Sequence, residues 1–176
     1  MGKDIRGLTV IFTGDGKGKT SAAFGTVFRA LGHGMKCKVI QFIKGTMDTG
    51  ELHSAKRFEG LLEVVRVGEG FTWQEGKPRE EHVAAAQKGL ETAAKALEGD
   101  FGVVVLDEII YAIRAGLVSI DDVLELVKKK PTAMHLILTG RDAPAELVSC
   151  ADMVSEIRPV KHPFEKGIPA QKGLDF

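Results

Sequence analysis

The stretch LTVIFTGDGKGKTS, residues 8–21, passes from an apolar run straight into a glycine-rich loop, and the segment that follows it reads as a helix. Strand, glycine loop and helix in that order form a phosphate-binding loop, or P-loop. The glycines let backbone N–H groups turn inward around phosphate oxygens, and the helix start adds its positive dipole. Lys19 supplies a point charge, and the hydroxyl of Thr20 is placed to ligate a magnesium ion. Gly14, Asp15, Gly16, Lys17, Gly18, Lys19, Thr20 and Ser21 are therefore the candidate phosphate contacts. The usual pattern separates its first glycine from Gly-Lys by four residues. Here three stand between Gly14 and Gly18, with Thr13 where the first glycine would fall. A shortened cradle shifts the phosphates, so the loop alone does not argue for γ-phosphate hydrolysis.

A second decisive stretch is FGVVVLDE, residues 101–108, an apolar run ending in two acids. Open parallel sheets bind ligands at the C-terminal edge of their strands. Side chains alternate along a strand, so Asp107 and Glu108 point differently and one of them reaches the metal, directly or through water. Further β-rich runs occur at Leu8–Thr13, Lys38–Ile43, Leu62–Val67, His135–Thr139 and Met153–Ile157, mostly separated by helix-like segments. Parallel neighbours need crossovers, and nearly continuous apolar strands need both faces covered. The expected fold class is therefore α/β, a mainly parallel sheet with flanking helices in the three-layer, RecA-like arrangement of P-loop nucleotide-binding domains. A first helix is expected over Lys19–Leu31, ending at Gly32 and Gly34, where glycine can turn left-handed. A second follows Pro78, with Val83, Ala86, Leu90, Ala94 and Leu97 on one stripe. A third opens at Ser119, in a capping-box-like spacing to Asp122, and ends at Lys128–Lys130.

At 176 residues the chain suits a single domain over 1–176. The final segment, 158–176, carries three prolines and little periodicity, and reads as an irregular strap over the body. Lysine plus arginine and aspartate plus glutamate are both 24, so no overall charge draws the chain to nucleic acid or an anionic membrane. Cys37 and Cys150 lack any Cys-x-x-Cys spacing, which suits free thiols in a reducing cytoplasm. The N-terminal apolar run is too short for a signal peptide, and no stretch approaches the roughly 20 residues of a membrane helix. His33, His53, His82, His135 and His162 have no metal-binding spacing, and all stay outside catalysis.

Six blocks, GDGKGKT (14–20), QFIKG (41–45), GFTW (70–73), LDE (106–108), TGR (139–141) and SEIRPVKH (155–162), occur in one order. Together with Ala170, Gln171 and Gly173 they resemble the bacterial P-loop type of ATP:corrinoid adenosyltransferase over nearly the whole chain. The resemblance implies a homodimeric enzyme in which Co(I) of cobalamin or another corrinoid attacks the 5′ carbon of ATP and expels triphosphate. The loop residues and Arg141 would hold ATP, with Lys19 also stabilising the leaving group. Thr20 with Glu108, and Asp107 beside them, would hold magnesium or manganese. Phe71 and Trp73 would press on the lower corrin face and keep cobalt four-coordinate, so that an external reductant, such as a flavoprotein, can reduce it. Lys44 and Lys161 would add positive charge near triphosphate, and His162 could touch ligand.

Two departures from that pattern bear on binding. Asp15 stands where the family often has asparagine, and its carboxylate repels phosphate unless it faces away or meets metal or lysine. Relatives often have a longer N-terminal helix over the corrinoid. Beside the preferred reading stand a P-loop phosphotransferase or ATPase, which would release ADP, and a nucleotide-switched binding protein or nucleic-acid motor fragment, which salt-dependent binding to DNA or RNA would support.

Overall fold

Strand β1 (Thr9–Thr13) pairs in parallel with β5 (His135–Thr139) on one side, Val10 opposite Ile137, and with β6 (Met153–Glu156) on the other. Strand β4 (Val103–Asp107) joins β5 to β2 (Cys37–Gln41), and β3 (Leu62–Arg66) lies outermost beside β2. The sheet order is β3-β2-β4-β5-β1-β6, with every pairing parallel. The computed structural model describes residues 6–43, 45, 48–68, 70 and 78–176. Each of the six expected strands is present, with ends displaced by a residue or two, the ordinary uncertainty of element boundaries.

Alternating side chains divide the core into two layers. Val10, Phe12, Val39, Val103, Val105 and Ile137 face α1 (Lys19–Leu31), through its Ala23, Val27 and Ala30. Ile11, Ile40, Val104, Leu106, Leu136 and Leu138 face the opposite way, toward Ala86, Leu90 and Ala93 of α3 (Arg79–Leu97) and Val123 and Leu126 of α5 (Ile120–Lys129). This double coverage is why the strands read as unbroken apolar runs. On α3, Gly89 permits the close fit, since a Cβ there would lie 2.6 Å from the Phe42 ring.

Local signals explain most helix ends. Ser119 caps α5 by accepting from the Asp121 N–H at 3.0 Å. Helix α1 does end at Leu31, but only one of the two glycines turns left-handed: Gly34 has φ +70°, whereas Gly32 stays right-handed at −61°. Three helices of six residues each, α2 (Gly50–Ala55), α4 (Ile109–Arg114) and α6 (Ala145–Cys150), had no individual sequence signal. Six residues are too few for a 3.6-residue period to show. Beyond β6 the chain is irregular, apart from one 3₁₀ turn at Pro163–Lys166.

Candidate functional site

The glycine loop leaves β1 at the C-terminal edge of the sheet and lies directly on the backbone that follows β6. Gly14 has φ +96°, and a Cβ there would meet the Ile157 carbonyl oxygen at 2.5 Å. A Cβ on Gly16 would come within 2.7 Å of the backbone of Ile157 and Arg158. The Gly16 N–H donates to the Ile157 oxygen at 2.7 Å, so this expected phosphate donor is turned to the sheet edge. Its N–H serves to fix the loop, and the inward-turning donors are to be sought among its neighbours and the first turn of α1, whose N–H groups have no partner inside the helix.

Lys19 fills the loop from within. Its ammonium donates to the carbonyls of Gly14 at 2.7 Å and Gly16 at 2.9 Å, and its side chain is buried. Burial lowers its pKa, with Arg141 acting the same way, while Glu108, Asp15 and Asp107 oppose the shift. In the next position Thr20 donates its hydroxyl to Asp107 Oδ1 at 2.8 Å.

Asp107 is the centre of a buried polar network. Three apolar strands, β2, β4 and β5, each end in one polar residue on the α1 face: Gln41, Asp107 and Thr139, all at most 1% exposed. Thr139 donates to the same Oδ1 at 2.8 Å, and the Gln41 amide donates to Oδ2 at 3.2 Å. A carboxylate so engaged orients the Thr20 hydroxyl and leaves that oxygen's lone pairs directed elsewhere. Glu108 behaves differently. It adopts a left-handed conformation, φ 61° and ψ 24°, its N–H donates to Thr139 Oγ1 at 2.9 Å, and it lines the cavity beside the loop. The two acids therefore diverge as the strand alternation requires, with Asp107 inward and Glu108 toward the open space.

That cavity has a volume of about 1300 Å³. Residues 15–21 of the loop form its floor, and Glu108, Tyr111, Arg114 and Arg141 one wall. Phe24 and Phe28 of α1, Phe58 and α2 form another, and Phe164, Leu174 and Phe176 of the final segment close over it. Phe28 is 70% exposed and meets Phe58 edge to face at 6.4 Å between ring centres. Arg141 faces Asp15 at 3.8 Å, so the loop acid meets an arginine rather than the expected metal or lysine. Lys17 forms an ion pair with Asp175. His162 also lines the cavity, and its Nδ1 accepts from the Phe164 N–H at 3.2 Å.

The donors suit a hard divalent cation: the Thr20 hydroxyl and the Glu108 carboxylate, with Asp107 behind them. Among the described residues no cluster of three or more His, Cys, Asp or Glu could hold a metal by itself. Magnesium held by one or two protein oxygens and completed by nucleotide phosphates fits such a set. Lys44, Phe71 and Trp73 lie outside the described residues. Sequence reading did not assign Gln41 and Thr139 to the Asp107 network, although a signal was there: each closes the C-terminal end of a largely apolar run with a polar residue. Nor did it see that Asp175 returns to Lys17.

The sequence profile described as ATP:corrinoid adenosyltransferase BtuR/CobO/CobP matches residues 5–176. The chain belongs to this family. It is 45% identical over 175 residues to the corrinoid adenosyltransferase of Pseudomonas aeruginosa, covering 99% of this chain and 86% of that protein. To the corrinoid adenosyltransferase of Escherichia coli it is 39% identical, covering 99% and 88%. The corrinoid adenosyltransferase CobA of Salmonella typhimurium is 40% identical, with the same coverage. Among solved structures it is similar to the flagellar accessory protein FlaH from Methanocaldococcus jannaschii, with TM-score 0.59 and 15% identity over 88% of this chain and 73% of that one. It is also similar to the KaiC-like protein PH0186 of Pyrococcus horikoshii, with TM-score 0.52 and 18% identity over 87% and 73%. At those identities the likeness shows the fold alone, and the parallel P-loop sheet expected from the sequence is the one observed. The family carries the chain's loop, Asp107 network and cavity into the setting of corrinoid adenosyl transfer.

Proposed function

We propose that this protein transfers the 5′-deoxyadenosyl group of ATP to the Co(I) of cobalamin or a related corrinoid such as cobyrinic acid a,c-diamide, releasing triphosphate. The observation that carries the reading is the coincidence of a family match over residues 5–176 with a lysine-filled phosphate loop opening into a cavity of about 1300 Å³. Such a space accommodates a nucleotide and part of a large planar acceptor.

In the proposed reaction the electron pair of Co(I) forms the cobalt to carbon bond at C5′. The C5′–O bond breaks, its electron pair leaves on triphosphate, and cobalt becomes Co(III). Co(I) is already a strong nucleophile, so the protein's work is alignment and charge neutralisation rather than activation of a side chain. Lys19 would move from the Gly14 and Gly16 carbonyls to the leaving triphosphate. Thr20 and Glu108 would hold magnesium, with Asp107 fixing the Thr20 hydroxyl; the ion would supply positive charge against the β- and γ-phosphates. Arg141 would exchange Asp15 for phosphate oxygen, and Ser21 and the loop backbone would complete the cradle. Phe71 and Trp73 are assigned to the corrin's lower face, and Lys44 and Lys161 to added positive charge near triphosphate.

The same reading takes residues 1–176 as one domain of a homodimer in the cytoplasm, supplied with electrons by a reductant such as a flavoprotein. Free Cys37 and Cys150 are compatible with a reducing compartment, and balanced charge gives nucleic acid no general hold. Among the described residues no helix is long and apolar enough to cross a membrane.

The test is an anaerobic assay with magnesium, ATP and chemically prepared cob(I)alamin, following light-sensitive adenosylcobalamin and the released polyphosphate. Equal amounts of adenosylcobalamin and triphosphate are expected. ADP without a cobalt to carbon bond would sink the reading in favour of phosphoryl transfer.

A further inference from the structure

The final turn of the chain is built around one carboxylate. Asp175 Oδ2 accepts the Gln171 N–H at 2.7 Å, and the Asp175 N–H donates back to the Gln171 carbonyl at 2.8 Å. Gly173, φ +81°, donates to the Phe176 carbonyl at 2.9 Å and closes the turn. One carboxylate oxygen thus holds the turn, which leaves Oδ1 aimed at Lys17, between Gly16 and Gly18 of the phosphate loop. The Gln171 N–H, and then Lys17, keep the Asp175 carboxyl below the usual carboxylate range, so it is ionised at neutral pH.

The surroundings make this contact breakable. Leu174 is 65% exposed and Phe164 81% exposed, so the segment buries little apolar surface and belongs to the low-stability part of the fold. Gly173, Leu174, Asp175 and Phe176 line the cavity that the loop opens into. Among the described residues that line the cavity, each lysine and arginine is already matched: Lys19 by two carbonyls, Arg141 by Asp15, Arg114 by Asp142 and Lys17 by Asp175. An incoming polyphosphate must therefore displace internal partners, and of these only the carboxylates carry charge that repels it.

We propose that Asp175 is a built-in competitor of triphosphate for Lys17: it occupies the lysine in the empty site, yields it to the nucleotide, and reclaims it as the triphosphate product leaves. A single carboxylate holds a lysine less strongly than a polyphosphate does, so nucleotide wins on arrival. Because the carboxylate is tethered, its effective concentration near Lys17 is on the order of millimolar, and it recaptures the lysine whenever product dissociates even partly. The residue thereby sets product affinity without touching the reacting carbon. This rests on the adenosyltransferase reading, in which triphosphate is the leaving group.

The experiment is calorimetric titration of magnesium tripolyphosphate into the full chain and its variants. Asp175→Asn is expected to bind about fivefold more tightly, the scale of an exposed ion pair no longer in competition. Triphosphate inhibition of turnover should strengthen by the same factor. The gain should vanish in a Lys17→Gln background, and Glu165→Gln, which removes another tail carboxylate lining the cavity, should not reproduce it. Unchanged or weaker binding by Asp175→Asn, an equal gain in the Lys17→Gln background, or an equal gain from Glu165→Gln would overturn the proposal. Failure of the unaltered protein to bind tripolyphosphate would also overturn the proposal, whereas the adenosyltransferase reading stands or falls on the adenosylcobalamin and triphosphate formed in the anaerobic assay, so the two failures are distinct.

Discussion

Thr20 and Thr139 donate to the same oxygen of Asp107, each at 2.8 Å, yet only Thr20 lines the cavity. Replacing Thr20 by valine removes one hydrogen bond to a charged acceptor and should cost about 1.5–3 kcal/mol of stability, whereas Thr139→Val should cost more, because its Oγ1 also accepts the Glu108 N–H. The expected distinction is in metal dependence: Thr20→Val, which removes a proposed ligand, should raise the magnesium concentration for half-maximal turnover about tenfold or more, and Thr139→Val, which acts only through Asp107 and the Glu108 backbone, should raise it by less. Denaturant melts and magnesium titrations of both variants check this, and an equal magnesium shift in the two would remove Thr20 from the metal's proposed ligands. At this scale the sequence spoke clearly for Lys19 and Thr20, because loop, charge and hydroxyl are contiguous. It could not show that Gln41 reaches Asp107, which depends on the register of β2 beside β4. Nor could it show that Asp15 meets Arg141 or that Lys17 meets Asp175, pairs that exist only once distant strand ends share an edge.

Elements place these residues by close backbone approach. The turn leaving β5 passes so near α4 that a Cβ on Gly140, φ +143°, would stand 2.7 Å from Ile110 Cβ and 3.1 Å from the Tyr111 nitrogen. Gly140→Ala should therefore destabilise the protein by about 2 kcal/mol or more, from strain and overpacking together. It should also weaken ATP binding, since Thr139 and Arg141 flank the displaced turn. Thermal unfolding and ATP titration read the two effects, and a neutral substitution would show that α4 yields easily. Glu108 supplies the matching irregularity at the start of α4, where a left-handed non-glycine residue costs on the order of 1 kcal/mol. The strands and longer helices were legible from their runs and periodicity. Helix α4 was not: six residues following an apolar strand merge with it in sequence, and the break is made by Glu108, whose conformation no residue type announces.

For the whole molecule, the two-layer core makes global stability responsive to single buried groups on either face. Cys37, at the start of β2, is fully buried, and burial pushes its thiol up from 9.0 to about 11. Between those values the unfolded chain loses a proton that the folded chain keeps, so Cys37 contributes stability below pH 9 that fades as pH rises toward 11. The full effect is at most about 2.7 kcal/mol. Urea melts at pH 8 and pH 10.5 should show a smaller loss for Cys37→Ala than for the unaltered protein, after allowing for its lower starting stability. Parallel loss curves would mean the thiol titrates alike in both states. The sheet order was open to prediction only as an α/β class, because strand adjacency is fixed by which crossovers pack. The final segment was legible as an irregular strap, but not its contacts, because Asp175 meets Lys17 through the fold rather than through any periodicity of its own. Where it begins, the contact of Gly14 and Gly16 with Ile157 and Arg158 is mainly backbone against backbone, which leaves little to absorb a shift. The phosphate loop and the backbone leaving β6 therefore form one tightly fitted joint, and displacing that backbone would change the shape of the phosphate cradle.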